Sequence, residues 1–206
     1  ATLAFITDRL AAVPSIIFGL WGLEVLISGS EGIQRWMDSY FGWTIIFDNT
    51  LDLYGKSLFI ASLVLSIMIL PTVAAISREV ILQVPAGHKE AALALGATRW
   101  EMVRMAVFPF AKPGMISAAM LGLGRALGET IAVALILSAA FTVSVHITEP
   151  GGTTFAANIA LKWNEAGTNG LSALIASGLV LFVLTLTVNI IARWIIARRA
   201  EFSGAN

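Results

Sequence analysis

The chain has 206 residues, of which 57% are hydrophobic and only 13% charged, with a mean hydropathy of +0.84 and a formal net charge of zero. A soluble domain carries about 25% charged residues, so this composition excludes one and points instead to an all-α, polytopic bundle of transmembrane helices. The absence of cysteine excludes disulfides and thiolate metal sites, and two scattered histidines, His88 and His146, offer no metal cluster.

Four apolar runs approach or exceed the roughly 20 residues a helix needs to cross a bilayer. The first extends from about Leu10 to Ser28 and contains Pro14, Gly19, Gly22 and a late Glu24, which reads as interfacial near its outer end. Ala1 is not a methionine and no signal peptide precedes this run, so the beginning of the protein is expected to be missing. The segment from Gly29 to Lys56 reads as an external loop. Trp36, Tyr40, Phe41, Trp43, Phe47 and Tyr54 suit it to lie partly along the interface, where aromatic rings prefer to sit. The second run covers about Ser57 to Ser77, with Pro71 inside it.

A polar interruption follows, at residues 87 to 109. It carries His88, Lys89, Glu90, Arg99, Glu101 and Arg104, so it does not cross. The pattern predicts two short helices with a turn between them. Pro85 has a φ suited to a helix start, and Glu90 is placed in the first turn, where the helix dipole favours a negative charge. Gly96 can take the left-handed conformation that ends a helix. Thr98 and Glu101 have the spacing of a capping box, so a second helix begins near Arg99. Pro109 and Pro113 are expected to stop it before the next run. Ala91, Ala92, Leu93, Leu95, Trp100, Met102 and Val103 are too apolar for a solvated linker, and the two alanines would let a partner's backbone approach closely.

The third run, from about Gly114 to Val145, holds Arg125 and Glu129 four residues apart, hence on one face if the run is a single helix. Each charge costs about 2.5–3.5 kcal/mol at a bilayer centre on insertion scales. The face they share with Ala118, Leu121, Gly122 and Ala132 therefore meets another helix or an aqueous path rather than lipid. Gly124 and Gly128 form a small-x-x-x-small pair suited to close helix contact. An ion pair that only locks packing is the plain alternative. The functional reading is that the Arg125 guanidinium offers planar donors to an anion in transit, with Glu129 holding it between passages.

Beyond this run, Glu149-Pro150-Gly151-Gly152 reads as a turn, Thr154 to Trp163 as a short helix, and Leu171 to Ala197 as the fourth run. Asn189, Arg193 and Trp194 near its end fit snorkelling to the interface. The basic residues orient the runs. Arg9, Arg78, Lys89, Arg99, Arg104, Lys112, Arg193, Arg198 and Arg199 fall on one side; Arg35, Lys56 and Lys162 fall on the other. This bias places the interruption and the C-terminus in the cytoplasm. There is no internal repeat, no low-complexity tract and no Gly-x-x-x-x-Gly-Lys-Ser/Thr loop, so the chain does not bind ATP by that route.

Glu90-Ala91-Ala92, then Gly96, then Pro109 resembles the EAA loop of ABC importer permeases, with Ala106 and Phe108 departing from the aliphatic residues expected there. The resemblance extends to Pro14–Gly22, Ile69-Leu70-Pro71, Ile76–Val80 and Leu121–Ala132, strings similar to those of the PstC-type permease subunits of phosphate-specific importers. It implies a single transmembrane domain over residues 1–206 with a coupling loop at 85–109. Glu90, Ala91, Ala92, Leu93, Gly96 and Trp100 would dock on a cytoplasmic ATPase. The pathway set would be Arg125, Glu129, Gly124, Gly128 and Thr130, lining the route of phosphate.

The resemblance further implies no catalytic residue, no metal and no cofactor on this chain. ATP and Mg would belong to two copies of a PstB-type ATPase. A second permease subunit of PstA type and a phosphate-binding protein of PstS type would complete the assembly, in the bacterial inner membrane, without nucleic acid. The family has six spans, so two are expected before Leu10. An importer for another oxyanion, such as sulfate or molybdate, is the alternative cargo reading. A membrane phosphotransferase is disfavoured because His88 and His146 fall on opposite faces without a carboxylate cluster. A non-transporting scaffold would be told apart by flux in vesicles.

Overall fold

The structure is a computed structural model that describes residues 9–49, 51, 53–140 and 144–200, with the side chains at 195 and 198–200 outside the description. It is helical, and among the described residues the only sheet-like pairing is an isolated bridge between Ser57 and Pro150. Helix α1 covers Ser15–Phe41, α2 Leu58–Leu82, α3 Ala86–Ala94 and α4 Arg99–Leu127. Three further helices follow: α5 over Ile131–Ile136, α6 over Phe155–Lys162 and α7 over Thr168–Ala200. Helices α1, α2, α4 and α7 are long and apolar enough to cross a membrane. Their large exposed side chains, such as Leu70, Leu121, Leu179 and Phe182, are what a lipid-solvated surface requires.

Two of these helices are longer than the hydropathy pattern suggests. Gly29–Phe41, part of the segment read as external and partly interfacial, continues α1 through a one-turn π segment at Gly22–Leu26. Glu24 therefore lies within the helix and not near its end. The polar residues that interrupted the apolar run are used inside the fold. Gln34 is fully buried, donates through Nε2 to Ser30 Oγ at 2.9 Å and accepts from Ser57 Oγ at 3.2 Å. The second extension is α4, which starts at Arg99 and runs through Pro109 and Pro113 without stopping. Its π segment at Val103–Val107 explains the tolerance. Phe108 N–H donates to the Val103 carbonyl five residues back, so the hydrogen-bond register shifts where Pro109 has no N–H to give.

The third apolar run, in contrast, is not one helix. α4 ends at Leu127, and residues 128–130 break it before α5 begins. The stretch from 141 to 143, inside the predicted run, lies outside the described residues.

The described chain divides into two compact units. One comprises Ala12–Met68 and Ala126–Val183. Its core gathers Ile60, Ala61 and Val64 of α2 with Val133 and Ile136 of α5, Leu137, and Ala157 of α6. Glycine makes the approach of α1 possible. A Cβ on Gly19 would stand 2.8 Å from Ala132 Cα, and one on Gly22 would stand 2.6 Å from Val64 Cγ2. The segment read as external is joined to the stretch before the Glu149–Gly152 turn by a backbone bond from Ile147 N–H to the Ile46 carbonyl, and Phe59 N–H at the start of α2 donates to the Ile147 carbonyl, each 2.9 Å. Thr148 Oγ1 adds a bond to the Phe47 carbonyl. The expected turn is present, with Gly151 and Gly152 at φ of 123° and 90°, and Thr154 caps α6 by accepting from Ala157 N–H.

The other unit comprises Ile69–Arg125 with the described parts of Ala1–Ala11 and Leu184–Asn206. Here the second half of α2 packs on α4. Cβ atoms on Gly114 and Gly122 would meet Val80 Cγ1 at 2.5 Å and Val73 Cγ2 at 2.6 Å. Val84, Val107 and Ala111 form its buried cluster.

Candidate functional site

The polar interruption folds as two helices around a short turn, and the turn is closed from both sides by its own residues. At the end of α3, Ala97 N–H donates to the Ala92 carbonyl at 3.2 Å and Gly96 N–H to the Leu93 carbonyl at 3.0 Å. This paired arrangement puts one residue in the left-handed region, and Gly96 takes it at φ of 85°. On the other side, Thr98 Oγ1 accepts from Glu101 N–H at 3.3 Å, while Glu101 Oε2 accepts from Thr98 N–H at 2.7 Å and from the Thr98 hydroxyl at 2.8 Å. The capping box is complete. His88 lies against Phe110 with ring centroids 5.6 Å apart, which ties α3 to α4.

Pro85 caps α3, but Glu90 is the fifth residue of that helix and sits beyond its first turn. The expected dipole contribution at that position is therefore weak, because the effect falls off within one turn. None of α3 is buried. Glu90, Ala91 and Leu93 are exposed and Ala92 is half-buried, while Leu95 at the turn is 90% exposed and Trp100 69%. An apolar, exposed turn held rigid by two caps offers a preformed surface, with no ordering to be completed on contact.

The five pathway candidates are separated by the helix break. Gly124 and Arg125 belong to the last turn of α4. Gly128, Glu129 and Thr130 lie in the break, so Arg125 and Glu129 do not share a helical face. Glu129 instead turns to α5, where its Oε1 accepts from Ala132 N–H at 3.2 Å and satisfies one of the amides a helix start leaves unpaired. Thr130 is the residue before α5 and makes no side-chain capping bond. Gly124 is not a close-contact glycine, since a Cβ there would meet nothing within 4 Å. The glycines that bring α4 against α2 are Gly114 and Gly122, whose Cβ positions coincide with valine side chains.

Arg125 is exposed, one turn beyond buried Gly122 on the same ridge of α4. Its Nη1 lies 3.4 Å from Thr72 Oγ1 on α2. A hydroxyl leaves the guanidinium's remaining donors available, where a carboxylate would neutralise it. Thr72 was not singled out from the sequence. The signal that could have found it is a hydroxyl directly after Pro71 within an apolar span. Asn189 and Arg193 do more than snorkel: they line a groove of about 190 Å3 with Ser117, Met120 and Leu121 of α4.

Comparison with known proteins gives one consistent picture. The family model described as binding-protein-dependent transport system inner membrane component matches residues 1–201. The chain is 50% identical over 189 residues to "Phosphate transport system permease protein PstC 2" of Mycobacterium tuberculosis, covering 90% of this chain and 58% of that protein. It is 46% identical over 197 residues to PstC of Mycobacterium leprae, covering 94% and 62%. It is 43% identical over 200 residues to PstC of Pasteurella multocida, covering 96% and 62%. The chain thus spans about six tenths of the length of these relatives. In fold it is similar to a chain of the MetNI methionine ABC transporter in an inward-facing conformation, with a TM-score of 0.61 at 19% identity, covering 96% of this chain and 74% of that one. With four helices fit to cross a bilayer and the family model matched over nearly its whole length, the chain is a multi-pass membrane protein of the binding-protein-dependent transport system inner membrane component family.

Proposed function

We propose that the chain is a permease subunit of an ATP-driven importer that carries inorganic phosphate into the cytoplasm by alternating access. The observation that carries this reading is the 43–50% identity to several phosphate permeases, spread over at least 90% of the chain. The chemistry agrees with it. An exposed guanidinium against a hydroxyl, at the end of a membrane helix, suits a tetrahedral oxyanion that must bind and leave. Sulfate and molybdate present similar oxygens, but nothing in the comparisons favours them.

In this reading Arg125 is the anion-binding group, with Gly124 beside it leaving room for the substrate. Gly128, Glu129 and Thr130 line the path next to it in the chain. The subunit itself is not an enzyme. ATP and Mg belong to a pair of PstB-type ATPases that dock on Glu90, Ala91, Ala92, Leu93, Gly96 and Trp100. A PstA-type second permease and a PstS-type phosphate-binding protein complete the importer. The turn and the C-terminus face the cytoplasm, a placement the distribution of basic residues supports, and the membrane is the bacterial inner membrane.

The test is phosphate uptake into vesicles holding the assembled importer. Arg125→Gln should abolish uptake while leaving assembly and basal ATP hydrolysis in place. Uptake at the normal rate would remove Arg125 from the path. Preference of the wild-type assembly for sulfate or molybdate over phosphate would reassign the cargo.

A further inference from the structure

A groove of about 580 Å3 runs along one side of α4, lined by Arg104, Phe108, Pro109, Lys112, Met115, Ile116 and Ala119. Its two ends differ. Arg104 and Lys112 are both exposed and bound the half next to the coupling turn, with Phe108 and Pro109 between them over about 12 Å of helix rise. Met115, Ile116 and Ala119 continue the groove toward the middle of the span with no further polar side chain. A cationic head followed by an apolar trough is the complement of an anionic phospholipid lying along a membrane helix. The described carboxylates of this unit are Glu79, Glu90 and Glu101, and none of them lines the groove. Glu101, on the same helix, is folded back onto Thr98.

We propose that this groove binds one anionic phospholipid of the leaflet that faces the coupling turn, its phosphate between Arg104 and Lys112 and an acyl chain along Phe108, Met115, Ile116 and Ala119. The lipid would sit against the helix that joins the turn to Arg125, a position from which membrane composition can bias transport. The inference rests on the membrane reading of the chain and not on the identity of the cargo, so failure of one leaves the other standing.

The test is native mass spectrometry of the assembled importer, purified in detergent and titrated with phosphatidylglycerol or, separately, phosphatidylcholine. The wild type should retain phosphatidylglycerol and not phosphatidylcholine. The Arg104→Gln, Lys112→Gln double variant should hold it about thirtyfold more weakly, and Arg104→Lys with Lys112→Arg should restore it. Assembly, read in the same spectra, separates loss of lipid from loss of fold. Equal retention by the double variant, or equal retention of the two lipids, would overturn the proposal. So would displacement of phosphatidylglycerol by inorganic phosphate, which would make this a free-phosphate site. The chain has no cysteine, so Ile116→Cys supplies a single reporter thiol. Efficient crosslinking of that thiol to the second permease subunit would show a protein covering the groove and would also overturn it.

Discussion

The turn at Leu95–Thr98 and the break at 128–130 are both interruptions between helices next to a glycine, yet they are held in different ways. The first is closed entirely by residues within a few positions of it. The paired bonds to the Ala92 and Leu93 carbonyls end one helix, and the Thr98–Glu101 box starts the next. The second has fewer local bonds: Glu129 N–H donates to the Ala126 carbonyl at 3.2 Å, and the Glu129 carboxylate accepts from Ala132 N–H. What makes α5 a separate element is its packing: Ala132, Val133 and Ile136 are buried against α1 and α2 of their own unit. In the proposed importer, the interruption that meets the ATPase is built from local bonds, and the one beside the phosphate path depends on tertiary contacts.

Three substitutions probe this contrast, and backbone hydrogen exchange reads each. The largest effect belongs to Gly96→Val. A β-branched residue at φ of 85° costs about 1–2 kcal/mol or more, and exchange should accelerate throughout Ala86–Ala94 while the rest of the chain is unchanged. ATP hydrolysis and phosphate uptake in the assembled importer should become uncoupled. If exchange in that helix stays as in the wild type, the turn is not held by its caps. Thr98→Ala comes next. It removes the acceptor for Glu101 N–H and should cost about 1 kcal/mol, with faster exchange confined to the first turn of α4. The smallest effect is expected for Glu129→Gln, which keeps an acceptor for Ala132 N–H but removes the charge at a helix start, for about 0.3–1 kcal/mol. A loss of α5 protection much larger than that would mean the break, too, is locally determined.

The same contrast explains what could be read from the residues alone. Gly96, Thr98 and Glu101 announce a turn because each bond is made between near neighbours, and the predicted helix after Thr154 was legible for the same reason. The break at 128–130 carried no comparable signal: Gly128, Glu129 and Thr130 are flanked by apolar residues on both sides, so the stretch from Gly114 to Val145 reads as one run with charges inside it. Helix ends failed in the opposite direction at α1 and α4. Hydropathy reports which residues lipid will accept, and Glu31, Arg35 and Asp38 ended the apolar run without ending the helix, because Gln34 and Ser30 are satisfied inside it. Pro109 and Pro113 have the pattern of helix stops, but the wide turn just before them absorbs the missing donor. Of the pathway candidates, Arg125 gained a neighbour on α2 that no short-range pattern indicates, since Thr72 is 53 positions away. Glu129 proved to serve the helix after it.

The uninterrupted course of α4 has a mechanical consequence. Arg99 and Arg125 are carried on one shaft, about 40 Å from end to end at 1.5 Å per residue, with no hinge between them beyond a single wide turn near its foot. The foot and the guanidinium thus share one continuous helix, and adding one residue midway would swing that cation by about 100° around the axis.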